Sequence, residues 1–482
     1  MKYLIAVLGM IALHAQAAEI TTPCHVDTIT SAVECGSVSV PLDYSDPKDG
    51  ENIEIGFVVL PSFNPSSGRN PLFFLAGGPG QAASSIAGLV ADMFSDVRSH
   101  RDIVLIDQRG TGRSGALACD IDLGDDLAPN YDLFDKALLA DCAAQLPEGI
   151  AHFTTANAVR DFEQVRLLLG ADKVDIYGGS YGSRAAFAYL ALAGQSVDLV
   201  VLDGIAPPSI PIGLFGASAA ASFTRAIDKC EAIATCAAAF PNLRADFKTV
   251  MARLNERPIE TSIPHPTTGE DTQLRLWPGQ FIGLLRLSLY APDSTSLMPL
   301  LVSETAAGNY RPIAALAVNV GDVETINWLL NLTIVCNEDY PRFTAGLIGT
   351  DRVNEFGADT SYRLWREACP LMPRFDPDLD WMTAGPFDQP ALLLSGAADP
   401  VTPPSNGDTA QRLFQRARHI VVPESAHIVA GSDCGAKLIA EFLASGDTES
   451  VNTACLAEMP RQRFRLDTFG SLSVSAEGRT AP

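Results

Sequence analysis

Positive charge is scarce in this chain. Thirty-four Lys and Arg face 57 Asp and Glu, a formal net charge of −23, so the basic face that binding a phosphate backbone needs is missing and a nucleic-acid partner is disfavoured. No two cysteines stand in Cys-x-x-Cys spacing, which argues against zinc. The glycine-rich run at 107–115 lacks the lysine of a phosphate loop, which argues against nucleotide binding. Beyond the N-terminus no stretch is long and uncharged enough to span a bilayer, and no internal repeat or low-complexity tract occurs. Histidine occupies only seven positions, so an imidazole base has few candidates. What is left is an acidic chain of 482 residues whose chemistry must come from a handful of side chains.

Residues 1–17 have the form of a signal peptide. Lys2 is followed by an apolar run from Leu4 to Leu13, and Ala15-Gln16-Ala17 supplies small residues before a cut at Ala18. A retained anchor is the alternative. All ten cysteines follow this point, in neighbouring couples: Cys24 with Cys35, Cys119 with Cys142, Cys230 with Cys236, Cys336 with Cys369, and Cys434 with Cys455. Pairing of neighbours is expected, although sequence does not fix connectivity. Each such bridge would contribute ~2 to 4 kcal/mol and belongs to an oxidising compartment. The expected location is therefore periplasmic or secreted, with no membrane association once the leader is removed.

The most informative segment is Val174-Asp175-Ile176-Tyr177-Gly178-Gly179-Ser180-Tyr181-Gly182. An apolar strand breaks into Gly178-x-Ser180-x-Gly182, the form of a nucleophile elbow, and Ser183 to Leu190 reads as the helix that follows. Glycines on both sides permit a turn too sharp for a Cβ, and the start of the helix favours negative charge developing beside Ser180. Upstream, the strand Pro71 to Ala76 runs into Gly77-Gly78-Pro79-Gly80, where backbone N–H groups can approach a ligand unobstructed. The oxyanion donors are assigned to the N–H groups of Gly78 and Tyr181, with Gly77 as the near alternative.

Two further strands place an acid and a base. Ala391 to Gly396 ends in Ala397-Ala398-Asp399-Pro400, and His419 to Pro423 ends in Glu424-Ser425-Ala426-His427, with a helix expected between them around Gly407 to Arg416. The order Ser180, Asp399, His427 suits a serine nucleophile whose base, His427, is oriented by Asp399. Asp203, at the end of the strand Val200-Val201-Leu202, is the rival acid. It is assigned instead to capping or bracing the next segment. Asp107 and Arg109, after the strand Ile103 to Ile106, are expected to form a buried polar network beside the oxyanion loop.

Together, Gly77-Gly78-Pro79-Gly80, Asp107-Gln108-Arg109-Gly110-Thr111-Gly112-Arg113-Ser114-Gly115, Gly178-Gly179-Ser180-Tyr181-Gly182 and the Asp399 and His427 loops resemble the prolyl aminopeptidase and tripeptidyl aminopeptidase branch of the α/β-hydrolases. Ala76 before Gly77 and Gln81 after Gly80 look more like the larger secreted tripeptidyl type. The resemblance implies an α/β fold with a mostly parallel central sheet and an inserted helical cap, and a serine exopeptidase acting on the free amino end of peptide substrates. Core segments are expected at residues 18–208 and 386–482, with the cap at 209–385, where Ala217 to Ile227, Phe281 to Leu289 and Ile326 to Leu332 show helical apolar periodicity. An exopeptidase must hold its substrate's ammonium by charge-assisted hydrogen bonds. Cys336-Asn337-Glu338-Asp339-Tyr340-Pro341 supplies the candidates, Glu338 first and Asp339 second, against the alternative of an ordinary solvated acidic loop. No metal or organic cofactor is required. A carboxylesterase on the same triad and a catalytically silent binding protein are the competing readings.

Overall fold

A computed structural model describes residues 20–47, 50–119, 127–321, 326–352 and 356–473. The leader expected at 1–17 lies outside the described residues. Eleven strands occur among them: β1 (Thr22–Cys24), β2 (Val33–Pro41), β3 (Asn52–Leu60), β4 (Leu72–Leu75), β5 (Ile103–Ile106), β6 (Val174–Gly179), β7 (Val197–Asp203), β8 (Ile259–Pro264), β9 (Asp271–Leu276), β10 (Ala391–Gly396) and β11 (Ala417–Val422). Nine of them form one sheet in the order β1-β2-β3-β5-β4-β6-β7-β10-β11. From β5 across to β11 every pair is parallel, whereas β1, β2 and β3 join antiparallel at one edge.

Burial on both faces explains why the inner strands are mostly apolar. Every residue of β4, β5, β6 and β10 is buried, as expected when helices cover both sides of a parallel sheet. Alternate side chains serve alternate faces. Phe73, Leu75 and Leu393 join a core with the helices Thr155–Leu168 and Tyr181–Ala193. Leu72, Phe74, Leu392 and Leu394 join the opposite core with the helix Asp433–Ser445. Because all the parallel strands run the same way, the loops after β4, β6, β7, β10 and β11 gather at one edge, where open α/β sheets place their ligands.

Between β7 and β10 the chain builds a mostly helical layer with its own core, in which Phe223, Phe247, Phe281 and Phe356 pack together. The expected helices appear as Gly216–Ala232, Pro278–Ser288 and Trp328–Ile334. The helix between Asp399 and His427 is shorter than expected and ends at Gln411. The antiparallel hairpin β8–β9 was not anticipated; its strands are six residues each and mostly not buried. Two segments allotted to the core also pack here. Phe464 is fully buried in the cap cluster, and Leu127 packs with Ile263, Leu274 and Ala314. Both are brought in by tertiary burial, which local periodicity does not encode.

All five neighbouring cysteine couples are joined, with Cα–Cα separations from 5.1 to 5.8 Å. No helix among the described residues is long and apolar enough to cross a membrane.

Candidate active site

Ser180 sits where β6 turns into the helix Tyr181–Ala193, with φ 54° and ψ −123°. L-residues rarely adopt this left-handed backbone, which marks a site held in place by its surroundings. The flanking glycines are sterically required: a Cβ on Gly178 would lie 2.5 Å from the Gly182 carbonyl oxygen, and one on Gly182 only 1.9 Å from that of Leu75. The Ser180 N–H donates to the Asp203 carbonyl at 2.8 Å, which fastens the elbow to the end of β7.

The loop after β4 lies against the elbow, since a Cβ on Gly77 would approach Ser180 Cβ to 3.3 Å. Gly78 and Gly80 have φ of 107° and 103°. Gly77 N–H donates to Gln81 Oε1 at 3.2 Å, so of the two candidate oxyanion donors in this loop Gly77 is already engaged. No acceptor for Gly78 N–H is found among the described residues. Tyr181 opens its helix, where the first N–H groups have no partner within the helix.

Asp399 and His427 meet at the ends of β10 and β11. His427 Nδ1 is 2.9 Å from Asp399 Oδ2, which fixes Nδ1 as the protonated nitrogen and leaves Nε2 as the acceptor for a serine hydroxyl. The Asp399 carboxylate is buried and held by three further donors, the N–H groups of Val401 and Thr402 at 2.8 Å and Thr402 Oγ1 at 2.7 Å. Thr402 Oγ1 also lies 3.2 Å from His427 Nδ1. The base reaches the elbow through its neighbours: a Cβ on Gly204 would lie 3.1 Å from His427 Cε1, and one on Gly179 would lie 3.3 Å from Ile428 Cδ1.

Asp203, the rival acid, has another task. Its carboxylate accepts from Val429 N and Ala430 N at 2.8 Å and from the Tyr177 hydroxyl at 2.9 Å. It therefore braces the backbone that follows His427, across Ile428 with its φ of 68°. Asp107 and Arg109 both enter buried polar networks, as expected. Both are buried, but they do not pair with each other. Asp107 accepts from Ser84 and from Arg113 N, while the Arg109 fork grips Asp161 at 2.6 and 2.7 Å.

The expected ammonium anchor requires correction. Glu338 and Asp339 are 2% and 1% exposed, and both oxygens of Glu338 and Oδ1 of Asp339 are committed internally. Glu338 accepts from Thr155 N at 2.8 Å and Thr155 Oγ1 at 2.6 Å, and the Thr155 hydroxyl continues to the Tyr181 hydroxyl at 2.7 Å. Asp339 accepts from Arg184, Arg342 and Ile212 N. A substrate ammonium would have to displace these partners, so this segment is an internal clamp joining the cap to the helix that carries Ser180. Sequence reasoning also missed Thr402 and the cap residues Tyr290 and Arg286. Thr402 follows Asp399 by three residues, the spacing of a local side-chain turn. The Tyr290 carbonyl accepts the His427 N–H at 3.0 Å, and the two rings meet T-shaped, with centroids 5.1 Å apart and planes at 74°. Nothing local marked either cap residue.

A profile of the α/β hydrolase fold matches residues 70–432. The chain belongs to the α/β-hydrolase family. Over 208 residues this hydrolase is 29% identical to the serine protease Hip1 of Mycobacterium tuberculosis, covering 39% of each chain. Over 205 residues it is 28% identical to the tripeptidyl aminopeptidase of Streptomyces lividans, covering 39% of this chain and 38% of that one. A stretch of 135 residues is 33% identical to the proline iminopeptidase of Xanthomonas citri, covering 28% and 32%. The matched stretches thus span about two fifths or less of these relatives' length.

The site's electrostatics give two expected outcomes. Burial alone would lower the His427 pKa, but the charge and hydrogen bond of Asp399, with the Asp203 charge behind them, outweigh it and hold the imidazole above its ordinary value. A base must be neutral, so activity should fall as pH drops through this raised value, with the acid limb of kcat/KM above about 6.5. Asp399→Asn should move the limb down and lower kcat by roughly 10³- to 10⁴-fold; an unchanged limb in the variant would contradict the pairing. Glu338 is pushed up by burial to about 7 from 4.5. The folded protein holds that proton where the unfolded chain has released it, so stability declines as pH rises from 4.5 to 7 and stays lowered above that range. Glu338→Gln should remove a pH-dependent loss of roughly 2 to 4 kcal/mol, read as Tm against pH; identical slopes in both proteins would contradict it.

Proposed function

We propose that this hydrolase is an exported serine exopeptidase that releases short pieces from the free amino end of peptides through an acyl-enzyme. One observation carries the reading: a serine in a left-handed elbow shares one sheet edge with a buried imidazole whose Nδ1 is held by a carboxylate. Ser180 Oγ attacks the scissile carbonyl as His427 Nε2 takes its proton. The tetrahedral oxyanion is received by the N–H groups of Gly78 and Tyr181. His427 then gives the proton to the departing amine, and a water, activated by the same imidazole, releases the acyl group from Ser180.

The peptidase and amino-end parts of the reading draw support from the names of the tripeptidyl aminopeptidase and proline iminopeptidase relatives. Five disulfides support export into an oxidising compartment, periplasmic or extracellular. The strongly acidic composition makes peptides, not nucleic acids, the fitting partner.

A tripeptidyl anilide with a free amino end, assayed beside its N-acetylated form, tests the reading. The free amine should be hydrolysed at least about tenfold faster, the value of one charge-assisted contact, and Ser180→Ala should abolish both reactions without changing the fold. Equal rates would remove the exopeptidase claim and leave a carboxylesterase, and a Ser180→Ala protein near full activity would remove the site.

A further inference from the structure

Arg286 stands on the cap helix Pro278–Ser288, and its guanidinium is placed with care. It lies 5.7 Å from the ring centroid of Phe215 and 5.7 Å from that of Tyr290, and Nη1 donates to the Tyr290 hydroxyl at 2.8 Å. Both aromatic contacts fix the cation without neutralising it. Among the described residues no carboxylate lies within ion-pair distance of it, in a chain where acids outnumber bases 57 to 34. The side chain is half-buried, so it is neither freely solvated nor paired.

Its location connects it to the chemistry. Tyr290 is shared: its ring and hydroxyl hold Arg286, while its ring and carbonyl also meet the His427 imidazole and N–H. A cation here opposes protonation of His427, which handicaps a residue that must become imidazolium during turnover. An anion brought in by the substrate would cancel that handicap and give the guanidinium the fork partner it lacks. Since His427 delivers its proton to the departing group, its flank is the side on which that group leaves.

We propose that Arg286 receives a carboxylate of the leaving group, so that the hydrolase favours peptides whose departing part carries an anionic group close to its new amino end. This rests on the serine-hydrolase reading above and adds a preference on the other side of the scissile bond. A carboxylate can come from two sources there, the terminal α-carboxylate of a single-residue leaving group or the side chain of an Asp or Glu just after the cut.

The test uses matched pairs with a common acyl part, tri-alanyl with a free amino end. One pair has alanine or alaninamide as the leaving group. A second has an amidated leaving peptide beginning with Asp or with Asn. A third is an ester of lactate or of lactamide, which reads the same contact when an alcohol departs. The carboxylate member of at least one pair should show kcat/KM about 10- to 100-fold higher, the range for a hydrogen-bonded charge. In Arg286→Gln that ratio should fall to near one, and Arg286→Lys, which keeps the charge, should retain part of it. The first two pairs distinguish the two sources. No preference in the wild-type protein, or a preference that survives in Arg286→Gln, would overturn the proposal. Turnover of the esters alone would refute the peptidase reading, and the lactate pair would still decide the role of Arg286.

Discussion

Asp203 holds the site together from below. Its backbone carbonyl accepts the Ser180 N–H, and its carboxylate accepts two N–H groups just past His427 together with the Tyr177 hydroxyl. The Ser180 turn and the His427 loop lie far apart in sequence, yet both are fastened to one residue at the end of β7. A carboxylate buried this completely is tolerated because each oxygen finds donors, and leaving any of them unpaired would cost ~1 to 3 kcal/mol. The placement of the Ser180 turn and of the His427 loop is therefore a property of the sheet edge and does not depend on either loop alone.

Around this brace the site is layered. Asp399 and Thr402 set the tautomer of His427 from one side, Tyr290 closes over the ring from the cap, and the Gly77–Gly80 loop packs on Ser180 from the third side. The cap is tied to the helix Tyr181–Ala193 by a buried ion pair and a buried hydrogen-bond chain. Arg184, on that helix, pairs with Asp339, and Thr155 joins Glu338 to the Tyr181 hydroxyl. Buried pairs of this kind are weak sources of net stability, but breaking one is costly. Their effect here is to hold the cap in one position over the edge where the strands end.

The parts legible in the sequence are those whose signal is local. Glycines at 178 and 182 leave no room for a Cβ, so the elbow is readable from five residues. The apolar runs of β4, β5 and β10 announce strands buried on both faces, and Asp399 and His427 follow the carboxyl ends of β10 and β11. The cysteine couples are close in the chain, which made neighbour pairing the simple expectation. Illegible parts depend on distant partners. Glu338 and Asp339 look like a solvated acidic turn until Thr155 and Arg184, 183 and 155 residues away, are folded against them. Arg286 and Tyr290 carry no motif, because their meaning comes only from the cap being laid over His427. Phe464 shows the same limit, since nothing near it says that it belongs to the cap core.

If His427 activates Ser180, the Ser180 hydroxyl should be the most reactive nucleophile of the folded protein. Reaction of the folded protein with a fluorophosphonate, followed by peptide mapping in the mass spectrometer, tests this most directly. One covalent adduct is expected, on Ser180, forming at a rate that collapses in His427→Ala. An adduct on another residue, or none on a folded wild-type protein, would contradict it.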